Sequence, residues 1–145
     1  MSKLSVVKCV PQKKLECSQE ILKYFEKNHW VYLAPPKDQT KIPISSTLPA
    51  GEGIIISSGG SIEGPNLCFQ SINNLTNSAV ATGQWLRDHD INPNECIILN
   101  SLPLHHVSGF MPWWRHRIWG AQHHWISHHM MHQPIELDKF SAALA

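Results

Sequence analysis

Ile54-Ile55-Ile56-Ser57-Ser58-Gly59-Gly60-Ser61-Ile62-Glu63-Gly64, followed by Pro65-Asn66, sets an unbroken apolar run directly against a tract of glycine and small hydroxyl residues. Three consecutive isoleucines fit a strand buried on both faces, as a parallel sheet requires. Cys96-Ile97-Ile98-Leu99 repeats the pattern. Between the two runs, Ile72, Leu75, Ala79, Thr82 and Leu86 recur at steps of three and four, which predicts a helix over residues 71–88. A second helix is expected over residues 110–119, with Pro112 near its start and Gly120 just past its end. Trp125-Ile126 then falls in a third strand. Strand, helix, strand, helix, strand at this spacing implies right-handed crossovers and an α/β fold with a mainly parallel sheet.

Upstream, residues 18–27 read as a helix, with Ser18 as candidate N-cap, Ile21, Leu22 and Phe25 on one side and Asn28 as its stop. Residues 31–33 read as a strand. Pro35, Pro36, Pro43 and Pro49 make residues 34–53 a connector rather than a packed element. The expected organisation is an amino-terminal segment with a proline-rich connector over 1–50, then an α/β core over 51–145. Leu137, Phe140 and Leu144 open one more helical face inside which the sequence stops, so a partial domain is expected. Twelve Lys and Arg against eleven Asp and Glu leave a formal charge of +1, which points to neither nucleic acid nor an anionic membrane. Lys8 interrupts the first apolar run and no apolar stretch is long enough to span a bilayer, so a cytosolic protein is expected. Cys9, Cys17, Cys68 and Cys96 form no CxxC pair and read as reduced thiols.

The tract Ser57, Ser58, Gly59, Gly60, Ser61 and Gly64 suits phosphate binding, because glycines let backbone N–H groups converge on an anion and serines add neutral donors. It is not a Walker loop, since Pro65-Asn66 follow Gly64 where that motif needs Lys and Ser or Thr. It is not a dinucleotide fingerprint either, since Ile56 takes the third glycine's place. No Lys or Arg occurs between Lys41 and Arg87, so charge balance for a phosphate must come from Mg²⁺ or from distant residues. A plain strand-to-strand turn is the alternative. The second motif, Asn100-Ser101-Leu102-Pro103-Leu104-His105-His106-Val107-Ser108-Gly109, directly follows a buried strand, where α/β sheets place their ligands.

Together the two motifs resemble those of adenylate-forming enzymes: acyl-CoA synthetases, luciferases and nonribosomal adenylation domains. These carry a strand, T-S-G-T-T-G-x-P-K, a helix, a strand and L-P-L-F-H-V-G-G in that order. The chain is most similar to 2-succinylbenzoate-CoA ligases of menaquinone and phylloquinone biosynthesis, with their S-G-G-S-x-G-G and L-P-L-H-H-V-S-G. It departs from the pattern in one extra residue between Gly59 and Pro65, in Ile62 and Glu63, and in Asn66 where the family has Lys. The resemblance implies a ligase that joins a carboxylic acid to ATP with Mg²⁺ as an acyl-adenylate, then passes the acyl group to CoA. Ser57 to Ser61 and Gly64 would close over the phosphates, and His106 would orient the acid at the acyl pocket. The alternatives are a non-catalytic nucleotide-binding or interaction module, and a histidine-rich metal-binding protein. Against the latter, adjacent histidines such as His123 and His124 point to opposite faces of a strand and cannot share one ion, so no metal site is expected there. Trp113, Trp114, Trp119 and Trp125 fit either an aromatic pocket or ordinary helix packing.

Overall fold

The computed structural model describes residues 2–37, 48–61 and 64–144. In chain order these form β1 (Lys3–Lys8), α1 (Lys14–Glu26), β2 (His29–Ala34), β3 (Gly53–Ser61), β4 (Gly64–Ser71), α2 (Ile72–Asp88), β5 (Ile97–Asn100), α3 (Val107–Trp119), β6 (Gln122–Trp125), α4 (His128–Met131) and α5 (Pro134–Leu144). One sheet has the order β1-β2-β3-β4, with β1 to β3 parallel and β4 folded back antiparallel. A second, parallel pair joins β5 to β6 through α3. The expected α/β fold with a mainly parallel sheet is present, divided between these two sheets.

Alternation along β2 sorts the core. Val31 and Leu33 face one side, where they meet Val7, Ile21, Ile54, Ile56, Leu75, Ala79, Phe110, Trp113 and Trp114. Trp30, Tyr32 and Ala34 face the other side with Ile55, packed by Leu4, Leu48 and Leu67. The Trp30 indole donates to the Pro49 carbonyl at 2.8 Å, tying down the end of the connector. Of the expected connector over residues 34–53, residues 38–47 lie outside the described part, as do Ile62 and Glu63 of the glycine-serine tract.

Several element boundaries differ from the sequence expectation, each for a local reason. Helix α1 begins at Lys14 behind a 3-10 turn at Pro11–Lys13, so Ser18 is interior and its hydroxyl donates to the Leu15 carbonyl instead of capping. Proline presets that turn. Helix α3 begins at Val107, because the His106 carbonyl accepts from both Gly109 N–H (3.1 Å) and Phe110 N–H (2.9 Å). Pro112 is therefore inside the helix rather than at its first turn. Gly120 caps α3 in the left-handed region (φ 71°), which glycine adopts without steric cost. Asn28, at φ 57°, ends α1 as expected. Strand β1 is not expected from the sequence, and β4 is expected only under the alternative of a strand-to-strand turn.

Candidate functional site

Registers place the glycine-serine tract. Lys8 pairs with Ala34, and Tyr32 pairs with Ile55, so Ala34 is level with Ser57. Ser58 to Ser61 consequently run past the carboxyl edge of the parallel strands. They pair with β4 instead, Ser58 opposite Asn66 and Ser61 opposite Gly64, with a register irregularity between Ser58 and Ser61. The tract is thus an overhanging β-hairpin arm rather than a strand-to-helix loop. Ser57 is half-buried; Ser58 is exposed and its hydroxyl donates to the Asn66 carbonyl at 3.2 Å. Gly59, Gly60, Ser61 and Gly64 contribute backbone to the arm.

The second motif is built around Asn100. Buried at the end of β5, its amide nitrogen donates to the Gly109 carbonyl at 2.8 Å and approaches His123 Nε2 at 3.1 Å, while its oxygen accepts from Leu102 N–H at 3.1 Å. Both amide hydrogens are used, so His123 Nε2 is the acceptor and its proton sits on Nδ1. Gly109 is needed here because a Cβ would meet the carbonyls of Pro103 and Leu102, against which α3 starts. This clasp shapes the 101–106 turn. His106 is exposed at the head of α3, where its side chain makes no capping bond. His105 stands beside it with ring centroids 4.4 Å apart, and its Nδ1 is buried without a partner. Burial, then the neighbouring His106, holds the His105 pKa below the ordinary imidazole value.

Residues following β1, β5 and β6 converge on a cleft of about 670 Å³. Its walls include Cys9, Lys14, Ser101, His105, Trp125 and His128. Lys14 lies 5.3 Å over the Trp125 ring and donates to the Leu102 carbonyl at 3.2 Å. Partial burial lowers its pKa. No ion pair involves it among the described residues, and Glu16 also lines the cleft, so the wall carries an unpaired cation and a separate carboxylate. The Lys14–Trp125 end of the lining is the part that suits an acidic group with an apolar body. The cleft takes in His105 but not His106, and none of the hairpin residues. No hydrogen bond or ring contact joins the hairpin arm to His106 among the described residues.

Sequence reasoning missed Asn100 and Lys14. A polar residue ending an apolar strand was the available signal for the former; Lys14 had none, since its partners lie far away in sequence. The tryptophans divide between both readings: Trp113 and Trp114 are core, Trp119 Nε1 donates to the Ala79 carbonyl at 2.7 Å, and Trp125 lines the cleft. His123 and His124 do face opposite ways, the first toward Asn100 and the second toward Phe140.

No protein-family model and no curated protein matches the chain. Among solved structures it is similar to an o-succinylbenzoate-CoA synthetase from Bacillus subtilis, in complex with its acyl-adenylate intermediate, at a TM-score of 0.46 and 12% identity. The match covers 87% of this chain and 43% of that one, so the chain spans less than half the length of that structure. A likeness of this degree assigns no residue. No helix among the described residues is long and apolar enough to cross a membrane.

Proposed function

We propose that this chain is the amino-terminal part of an ATP-dependent acid-CoA ligase, and that its acid is 2-succinylbenzoate. The observation that carries the reading is the placement of the L-P-L-H-H-V-S-G motif: it forms the turn between β5 and α3, and His105 from that turn lines the cleft that Lys14 and Trp125 share. In this reading the cleft takes the acid, with Lys14 attracting a carboxylate and Trp125 offering a flat apolar wall. His106, exposed at the head of α3 beside His105 and outside the cleft lining, would orient the reacting carboxylate from the cleft's edge.

The hairpin arm supplies the other half. Ser57 offers a hydroxyl, and the backbone of Ser58 to Ser61 and Gly64 would approach phosphate closely. Charge neutralisation in this reading falls to Mg²⁺ arriving with ATP, because no Lys or Arg lies between Lys41 and Arg87 in the sequence. When bound, ATP supplies the electrophilic α-phosphorus. The chain's own residues orient the attacking carboxylate and screen the charge that develops. CoA, as second substrate, would capture the acyl group on the completed enzyme. A non-catalytic nucleotide-binding or interaction module is the second reading, favoured by Asn66 standing where the resembled family has Lys.

The test is direct binding to the 145-residue chain, followed by heteronuclear NMR and calorimetry with 2-succinylbenzoate, benzoate and Mg-ATP. The reading expects saturable 2-succinylbenzoate binding that perturbs Trp125 and weakens about tenfold in Lys14→Met, equivalent to about 1.4 kcal/mol. Mg-ATP should perturb the hairpin arm in wild type but not in Gly60→Val, while Asn66→Ala leaves it within about tenfold, since Asn66 loses only neutral contacts. Nucleotide binding without acid binding would favour the module. Absence of both would sink the ligase reading.

A further inference from the structure

Ten histidines are distributed along the chain, and the ligase reading uses two of them. Adjacent pairs on a strand diverge, but α4 and its cap bring a different pair together. His128 opens α4 and His132 caps it one turn later, with their Nε2 atoms 3.2 Å apart and ring centroids separated by 4.8 Å. The turn is fixed at its start by Ser127, whose hydroxyl accepts from Met130 N–H at 3.1 Å. Both imidazoles are exposed, and His128 also lines the cleft.

We propose that His128 and His132 form a two-nitrogen chelate for a divalent late first-row cation, zinc or nickel, at the mouth of the cleft. Metal–imidazole bonds are about 2.0–2.1 Å long. Two of them at an angle of roughly 100° separate the nitrogens by about 3.2 Å, which is the spacing already present. Ligation uses the Nε2 lone pair of both rings, so each ring binds as the tautomer that carries its proton on Nδ1. Imidazole donors suit zinc, nickel and copper rather than magnesium or calcium.

The site is an open one. No third His, Cys, Asp or Glu joins the pair among the described residues, so water or an oxygen donor from a cleft occupant fills the remaining positions. This distinguishes it from a closed structural zinc centre, which would hold four protein ligands. The inference does not rest on the ligase reading, because the two groups and their spacing exist whatever the cleft binds.

The experiment uses the full chain purified without an affinity tag and stripped with a chelator. Calorimetry with zinc chloride and nickel chloride gives affinity and stoichiometry, and electron paramagnetic resonance with Cu²⁺ counts coordinated nitrogens. One ion per chain and two nitrogens are expected. His128→Ala and His132→Ala should each weaken binding by roughly 10²-fold, since the second donor acts intramolecularly. His124→Ala should leave it unchanged. Far-UV circular dichroism checks that these exposed substitutions keep the fold. The proposal is overturned if His132→Ala binds like wild type, if His124→Ala loses as much, or if several ions bind weakly to every variant, which is adventitious binding by a histidine-rich chain.

Discussion

The Asn100 clasp makes a single imidazole decisive at the residue scale. Burial, followed by the charges of His116, His124 and Lys14, pushes the His123 pKa down to about 4. His123 is neutral in the folded chain and accepts from the Asn100 amide; protonated, it cannot accept. The folded pKa lies below the unfolded value near 6.5, so the unfolded chain binds more protons between pH 6.5 and 4. The contribution is fully present above pH 6.5 and is lost as pH falls through that window. His105, also lowered, adds in the same direction. Urea midpoints measured from pH 7.5 to 4.5 should fall with acidity, and His123→Gln should flatten much of that slope. An unchanged slope in the variant would mean that other groups dominate. Asn100 illustrates what the sequence concealed. It could be placed at a strand end from the apolar run before it, but two of its three partners, Gly109 and His123, depend on α3 and β6 being brought back onto β5.

Elements were legible where periodicity was strong and short-range. Helix α2 was expected over residues 71–88 and spans Ile72–Asp88, with Leu75 and Ala79 buried on the expected face. Its cap is Ser71, whose hydroxyl accepts from Asn74 N–H at 3.1 Å. Ser71→Ala should therefore cost about 1 kcal/mol in chemical denaturation, and Ser71→Gly less. Strands β1 and β4 escaped because their signals conflict with the rule applied. In β1, Lys3 and Lys8 bracket a short run on an edge where one face is solvated. In β4, Pro65, Asn66 and Gln70 dilute the apolar pattern, and pairing with β3 supplies the order that propensity does not. The glycine-serine tract reads as a phosphate loop with a strand-to-strand turn as the alternative; it forms a hairpin arm whose length depends on the register of β3 against β4.

At the scale of the whole molecule, two sheets share one core. Phe110 and Trp114 from α3, which connects β5 to β6, lie in the same buried cluster as Val7, Val31 and Ile54 from the larger sheet. Phe110 stacks on Trp114 and meets Trp113 edge-on, with centroids 6.1 and 5.4 Å apart. The second sheet has only two strands, which are marginal alone. Phe110→Ala should thus destabilise the chain by about 3–5 kcal/mol. The loss should be global: tryptophan fluorescence and far-UV circular dichroism should report one coincident transition. Separated transitions would show that the two sheets unfold independently. The fold class was accessible from the order of elements, whereas the division into two sheets was not, because nothing local states which strands become neighbours.

The four thiols follow from the same packing. Cys9 and Cys17 are buried where β1 meets α1, their sulfurs near the carbonyls of Val7 (3.6 Å) and Lys8 (3.3 Å), and burial, then Cys17 and Glu20, pushes Cys9 up to about 12. Cys68 is exposed on the edge strand and Cys96 is half-buried. The chain therefore carries a built-in chemical clock. An alkylating reagent consumes exposed Cys68 in the native state, but reacts far more slowly with Cys9, whose thiol is buried at the wall of the cleft and held protonated, so the lag between the two modifications measures how often that sulfur is uncovered.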